Sequence, residues 1–148
     1  RSLGIRRLRT SALYRTPILY AQGHQIHPFP FAEWAMNPED LVTRAITDAL
    51  AATGRFRDVG DASNINRPEL MLFGELRRFE ADRDVNPVEA VCEVRLELRE
   101  TFGTNLLWAN TLTARVPLTE DRVAALPEAM SQAVAQIANT AAREIASH

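Results

Sequence analysis

Lysine is absent from this 148-residue sequence, so each of its 17 basic side chains is an arginine. Arginine is well suited to binding phosphate and carboxylate groups. A GC-rich genome also favours arginine codons, and the 8 prolines and many alanines agree with that explanation. The formal net charge is only −2, which excludes strong bulk attraction to nucleic acid or to an anionic membrane.

Cysteine occurs once, so the chain has no internal disulfide. Cys92 lies in the stretch VEAVCEVRLEL, where every second residue is apolar, and this pattern predicts a small buried hydrophobe rather than a nucleophile. His24 and His27 are three residues apart in extended chain and would point to opposite faces, which is poor spacing for a metal. The motifs GxxxxGK(S/T), GxGxxG and GxSxG are all missing. We therefore predict no catalytic residues, no metal, no cofactor and no enzymatic activity.

Long hydrophobic runs are missing as well, since no segment approaches the roughly 18 apolar residues of a membrane span. The early arginines form a modest basic cluster, but they lack the interleaved aromatics and the basic overall charge of a nucleic-acid-binding domain. We therefore predict no nucleic-acid partner. The chain has no initiating Met and starts within a predicted strand, so we expect a processed or trimmed chain.

Helical signals are strongest after position 36. Asn37 is a favoured N-cap, and Pro38 suits the first helical position. Glu39 and Asp40 place negative charge at the positive end of the helix. Apolar residues then repeat at helical spacing until Gly54, a typical C-terminal stop. A second, alanine-rich helix is predicted over residues 127–146.

Three segments between these helices alternate apolar and polar residues and predict an antiparallel meander. The first has a predicted bulge near Arg77 and Arg78, and FGTN predicts the hairpin turn between the second and third. A strand is predicted at the N-terminus, residues 18–20 are interpreted as extended, and GRFRDVGD is interpreted as a connection. The sequence therefore predicts an α+β two-layer fold, with a mainly antiparallel sheet and two principal helices on one face, as one domain over 1–148.

The most distinctive stretch precedes the first helix and concentrates aromatic side chains. It contains Tyr14, Tyr20, Phe29, Phe31 and Trp34. These rings either close the core at the entry to the helix or form a surface for a partner, because Tyr and Trp are enriched where apolar contact meets water. The sequence leaves both interpretations open.

The order and spacing of residues here resemble the ABC-type transport auxiliary lipoproteins, accessory components of the Mce-type lipid transport systems of Gram-negative bacteria. The matching residues are Tyr14, Arg15, Ile18, Tyr20, Trp34, Pro38, Leu41, Leu50, Gly54, Phe56 and Val59. Three strands and a C-terminal helix follow in the same order. The resemblance covers nearly the whole chain, although no single motif is diagnostic.

The resemblance implies a fold akin to the N-terminal domain of TolB and a non-enzymatic role in moving lipid between membranes. It implies a periplasmic lipoprotein, anchored to the outer membrane through a cysteine upstream of this chain. The lipobox and the first strand of the family pattern are missing here, so these residues do not support the anchor themselves. The implied partners are Mce-domain proteins or ABC transporter components, and the exposed strand edges also allow a homo-oligomer.

Within this framework we hypothesise that Tyr14, Arg15, Tyr20 and Trp34 border the partner surface. Arg15 would pair with a carboxylate of the partner. Trp34 has an alternative role as a plug between the first helix and the sheet. The alternative function is a small-ligand or lipid-binding domain that uses an apolar cleft between the helices and the sheet.

Overall fold

A sheet of eight strands backed by two helices makes up the computed structural model, which describes residues 1–103 and 105–148. The strands are β1 (Ser2–Ile5), β2 (Arg9–Thr10), β3 (Pro17–Gln22), β4 (Gln25–Glu33), β5 (Asp58–Asp61), β6 (Leu70–Asp82), β7 (Glu89–Glu100) and β8 (Leu106–Pro117). The helices are α1 (Pro38–Ala52) and α2 (Leu126–Ile145), and a short 3-10 turn, Val123–Ala125, precedes α2. The predicted α+β two-layer fold is confirmed.

Strand β6 organises the sheet. One of its edges pairs antiparallel with β7, which in turn pairs antiparallel with β8, so the predicted meander is confirmed. Its other edge pairs with β1, β2 and β3 in succession, and all three of these pairings are parallel. Strand β4 pairs antiparallel with β3 at one extremity, and β5 pairs parallel with β1 at another. The longest ladders are antiparallel, and the short N-terminal strands add the parallel pairs.

The interpretation of GRFRDVGD as a connection is wrong in part, because Asp58–Asp61 forms β5. Leu3 of β1 lies opposite Val59, and Ile5 lies opposite Asp61. Two aspartates and a glycine in four residues give no alternating apolar signal, so the strand depends on the partner that β1 supplies. The predicted FGTN turn joins β7 to β8, and its Thr104 lies outside the described residues.

The predicted bulge in β6 is confirmed by a register shift between Leu76 and Arg78. The extra residue brings both Leu76 and Phe79 onto the helix-facing side, where each is almost fully buried. The odd-numbered residues of β6 before the bulge face away from the helices, and Phe79 faces towards them. The bulge therefore turns Phe79 towards the residues that precede α1.

The core lies between the sheet and the apolar stripes of the two helices. The helix-facing residues of β7 are fully buried: Ala90, Cys92, Val94, Leu96 and Leu98. Burial raises the pKa of the Cys92 thiol, and the neighbouring carboxylates add to this effect. The prediction of Cys92 as a buried hydrophobe is confirmed.

Helix α1 begins at Pro38 and ends before Gly54, as predicted. Asn37 occupies the N-cap, but its side chain makes no capping hydrogen bond. The acidic first turn is instead bound by Arg7, which lies 2.8 Å from Glu39 and 2.6 Å from Asp40. This ion pair holds the segment between β1 and β2 against the helix. Helix α2 covers Leu126–Ile145, within one residue of the prediction at each end.

Candidate partner-binding surface

The four residues predicted to border a partner surface divide into a buried pair and an exposed pair. The side chains of Tyr14 and Trp34 are 6% and 8% exposed, so both contribute to the core. Arg15 is exposed, and Tyr20 is half-buried. The four residues therefore do not form one accessible patch, because two of them are buried.

Trp34 packs edge-on against Phe79, with the ring centroids 4.9 Å apart and an angle of 72° between the planes. Its backbone N–H donates to the carbonyl oxygen of Thr16 at 2.7 Å. This position, between the sheet and the start of α1, agrees with the interpretation of Trp34 as a plug. The bulge in β6 is what makes the contact possible, because it turns Phe79 to the helix side.

Tyr14 caps a buried carboxylate. Its phenol donates to Oε2 of Glu80 at 2.7 Å, and Glu80 is only 1% exposed. The same carboxylate accepts from Nε of Arg78 and from the backbone N–H of Phe79, each at 2.8 Å. Burial, followed by the hydrogen bond to Glu80, raises the pKa of Tyr14. Tyr14 therefore fastens the segment before β3 to the centre of the sheet.

Tyr20 belongs to a half-buried group of three rings and one guanidinium. We call this group the aromatic stack, and it comprises Tyr20, His27, Phe29 and Arg83. The Tyr20 ring lies 5.2 Å from the His27 ring at an interplanar angle of 28°, and 4.7 Å from the Phe29 ring. The guanidinium carbon of Arg83 lies 5.0 Å from the centroid of the Tyr20 ring. Such contacts combine apolar area with a cation–π interaction.

The geometry of the β3–β4 hairpin explains the stack. Gly23 and His24 both have positive φ, at 60° and 62°, as a two-residue type I′ turn requires. This turn fixes a register in which Tyr20 lies directly opposite His27. Side chains opposite one another on an antiparallel pair share a face, so the rings meet.

Phe31 is the most accessible ring of the hairpin, and the sequence analysis did not assign it to the site. Its side chain is fully exposed, and its backbone has a φ of 56°, a conformation that costs a non-glycine residue about 1–2 kcal/mol. An exposed phenylalanine in a strained conformation gains nothing for the core. The signal in the sequence is the triplet Phe-Pro-Phe, but no periodicity indicates which ring is left outside.

An apolar groove lies on the helix side, next to Trp34. It has a volume of about 560 Å³, and it is lined chiefly by Trp34, Leu41, Phe79, Met130, Val134 and Ala135. The lining comes from both helices and from the sheet. Because these side chains are mostly apolar, the groove can accept a hydrocarbon chain but offers no set of groups for bond-making chemistry.

Metal binding has no support in residues 1–103 and 105–148, where no group of three or more His, Cys, Asp or Glu side chains could hold an ion. No helix of this described part is long and apolar enough to cross a membrane. The residues of the hairpin and of the groove can make apolar, aromatic and cationic contacts.

The sequence pattern of the ABC-type transport auxiliary lipoprotein component matches residues 9–142. The chain belongs to this family. The family description names an accessory component of transport rather than a class of enzyme. A comparison with curated protein sequences gives no match.

Solved structures with the same fold include other bacterial proteins. The crystal structure of XCC0632 from Xanthomonas campestris has a TM-score of 0.88 and 19% identity, covering 99% of this chain and 85% of that one. CT253 from Chlamydia trachomatis has a TM-score of 0.61 and 10% identity, covering 98% and 96%. The PelC dodecamer from Paraburkholderia phytofirmans has a TM-score of 0.58 and 14% identity, covering 93% and 85%. At these identities the likeness establishes only that the lipoprotein shares their fold.

Proposed function

We propose that residues 1–148 form a single domain that serves as a non-enzymatic accessory protein of an ABC transporter of the Mce type. The domain would act in the periplasm by binding a protein partner, and so assist the movement of lipid between the membranes. The family match over residues 9–142 supports the transport role. The observation that carries the binding role is the fully exposed Phe31 beside the aromatic stack.

The β3–β4 hairpin favours binding through side chains. Strand β4 lies at an edge of the sheet, where unpaired backbone groups would ordinarily invite another strand. Pro28 and Pro30 lack an N–H, so strand addition along β4 would lose donors at both positions. A partner would therefore contact the Phe31 ring, the aromatic stack and Arg15, which forms no ion pair within residues 1–103 and 105–148.

The four residues predicted from the sequence have separate roles in this proposal. Arg15 and Tyr20 are accessible and would contact the partner directly, with Arg15 facing a carboxylate. Tyr14 and Trp34 are buried, so they would act by holding the hairpin in place. The proposed surface therefore leaves out Tyr14 and Trp34 and includes Phe31.

The proposed partner is an Mce-domain protein or another component of the same transporter. The lipoprotein family supports attachment to the envelope, and we propose a lipid anchor upstream of this chain in the outer membrane. Self-association is a second possibility for the hairpin, supported by the dodecameric assembly of PelC, which shares the fold.

The test is capture of the purified Mce-domain protein of the same transport system by this chain. At a partner concentration near the dissociation constant of the natural chain, the single substitutions Phe31→Asn and Tyr20→Ser should each remove nearly all capture, while the folded fraction stays unchanged by circular dichroism. Phe102→Asn is the matched control, since Phe102 is 69% exposed and lies in the turn after β7. Capture that survives both hairpin substitutions would contradict the proposed surface.

Binding of a lipid tail is a second candidate function, favoured by the 560 Å³ groove beside Trp34. Ala135 lines this groove and is exposed, so Ala135→Trp should fill it without disturbing the core. Native mass spectrometry of the protein extracted from membranes should show a bound lipid that this substitution removes. The control is Ala51→Trp, at an exposed position of α1 outside the groove. A protein that carries no lipid would rule out this function.

A further inference from the structure

A second cavity lies on the face of the sheet that is turned away from the helices. Phe73, Glu97 and Arg99 line it, and they alternate along β6 and β7 with leucines that are buried against the helices. Its volume is about 310 Å³. The charged lining consists of Arg6, Arg7, Arg9, Arg99 and Glu97. Four guanidinium groups therefore surround a concave site that contains one carboxylate.

The existing ion pairs leave part of this positive charge unmatched. Arg7 is already bound to Glu39 and Asp40 of α1. Glu97 is shared by Arg99 at 3.2 Å and by Arg95 at 3.7 Å. Arg6 and Arg9 are exposed, and neither forms an ion pair with any carboxylate of residues 1–103 and 105–148.

An aromatic ring positions one of these two arginines. The guanidinium carbon of Arg6 lies 5.2 Å from the centroid of the Phe73 ring. Stacking on a ring restricts the side chain while leaving its N–H groups free to donate. Arg9 lies on β2, opposite Glu75 of β6. Arg6 follows β1, which pairs with the same edge of β6, so both arginines line the cavity from that edge.

A larger cavity adjoins this site, and its further lining combines apolar residues with the carboxylates of Asp61 and Glu100. It has a volume of about 720 Å³ and shares Arg6, Arg7, Phe73 and Arg99 with the smaller one. Its additional apolar lining includes Pro68 and Met71. The carboxylate of Asp61 at its rim is occupied by hydrogen bonds from the backbone and side chain of Ser63. An anionic group in the smaller cavity would therefore have apolar surface beside it.

We propose that this cavity binds a phosphate ester, with the phosphate held by Arg6 and Arg9 and the esterified group lying against Pro68 and Met71. Arginine forks match the geometry of phosphate oxygens and form charge-assisted hydrogen bonds to them. A phosphate monoester supplies more than one negative charge, which suits two unpaired guanidinium groups. The site lies on the opposite face of the sheet from the groove beside Trp34, and it does not depend on the proposed protein partner.

The experiment compares two probes that carry the same group. Glycerol 3-phosphate tests a free phosphate ester by isothermal titration calorimetry, and vesicles of phosphatidylcholine with and without phosphatidic acid test a lipid headgroup by co-sedimentation. The variant is Arg6→Gln with Arg9→Gln, both at exposed positions that should not affect folding. The matched control is Arg44→Gln with Arg143→Gln, which removes the same charge from exposed positions of α1 and α2.

Binding of either probe that weakens at least roughly tenfold in the Arg6/Arg9 variant, and by less than about twofold in the control, supports the site. Response to glycerol 3-phosphate indicates a soluble ligand, and response to phosphatidic acid vesicles alone indicates a lipid headgroup. The proposal is overturned if neither probe binds, if both variants weaken binding equally, or if acetate at matched ionic strength competes as well as the phosphate ester does. None of these outcomes affects the proposed binding of a protein partner by the hairpin.

Discussion

Tyr14 and Glu80 are 66 residues apart in sequence, and they are joined by a hydrogen bond of 2.7 Å in the interior of the sheet. The bond connects the segment before β3 to the central strand β6, and it satisfies a carboxylate that is almost completely buried. A buried charge without its hydrogen bonds is strongly destabilising. The β3–β4 hairpin, which carries the proposed partner surface, is thus held in place by a contact that is itself buried.

Replacing Tyr14 by Phe should lower the free energy of unfolding by about 1.5–3 kcal/mol, the usual range for a hydrogen bond to a charged group. Glu80 keeps its contacts with Arg78 and with the backbone of Phe79, so the fold should survive. Urea denaturation of the two proteins measures the difference. Tyr20→Phe is the control, because the phenol of the half-buried Tyr20 makes no hydrogen bond to residues 1–103 and 105–148. Equal stabilities of the Tyr14→Phe and Tyr20→Phe proteins would contradict this account.

The same pair predicts a dependence on alkaline pH. The pKa of Tyr14 is raised from its ordinary value of 10.0, chiefly by burial, so the folded state favours the neutral phenol. The stability that this provides is complete below pH 10.0 and is lost as the pH rises towards the folded-state pKa. Denaturation curves above pH 10.0 should therefore fall more steeply for the natural protein than for Tyr14→Phe. If the free energy of unfolding depends on pH in the same way for both proteins, the pKa of Tyr14 does not differ between the folded and unfolded states, and the account is contradicted.

A methyl group at position 74 should destabilise the sheet. A Cβ built on Gly74 would overlap the side chain of Leu8, and it would lie 2.7 Å from Leu96 and 2.9 Å from the carbonyl oxygen of Arg95. Overpacking of this kind costs about 1–3 kcal/mol, so Gly74→Ala should lower the midpoint of urea unfolding. The control is Gly60→Ala, whose Cβ would lie at an ordinary 3.6 Å from Ile65. Equal effects of the two substitutions would contradict the close packing of Leu8 over Gly74.

The thiol of Cys92 should be inert in the folded protein. It is fully buried, and its raised pKa disfavours the reactive thiolate. A disulfide reagent such as Ellman's reagent should leave it unmodified in native buffer and should react with it fully in concentrated urea. Rapid modification in native buffer would mean that β7 opens or that the thiol is accessible.

Much of the fold could be predicted from the sequence because most of its elements carry local signals. The start of α1 at Pro38, the alternation through Cys92 and the bulge before Arg78 each follow from a few neighbouring residues. Strand β5 could not be predicted in this way, because its pairing with β1 joins segments more than 50 residues apart and its own residues give no pattern. Parallel pairings of short strands depend on tertiary context.

The candidate site was predicted as a region but not residue by residue. The aromatic window stands out in the sequence, but composition does not indicate which of its rings the hairpin turns outward. That choice depends on the type I′ turn at Gly23 and His24, on the left-handed backbone at Phe31 and on the distant partners Phe79 and Glu80. Burial of Trp34 and exposure of Phe31 therefore follow from long-range packing.

The most direct test of the proposed binding role is the dissociation constant for the proposed partner, the purified Mce-domain protein, measured by calorimetry for the natural chain and for Phe31→Asn. Asparagine tolerates positive φ, so the substitution should change stability by less than about 0.5 kcal/mol. Since exposed aromatic residues often dominate protein interfaces, we expect binding to weaken by about 2 kcal/mol or more, roughly thirtyfold. The Phe102→Asn control should bind as the natural chain does. An unchanged dissociation constant for Phe31→Asn would contradict the account.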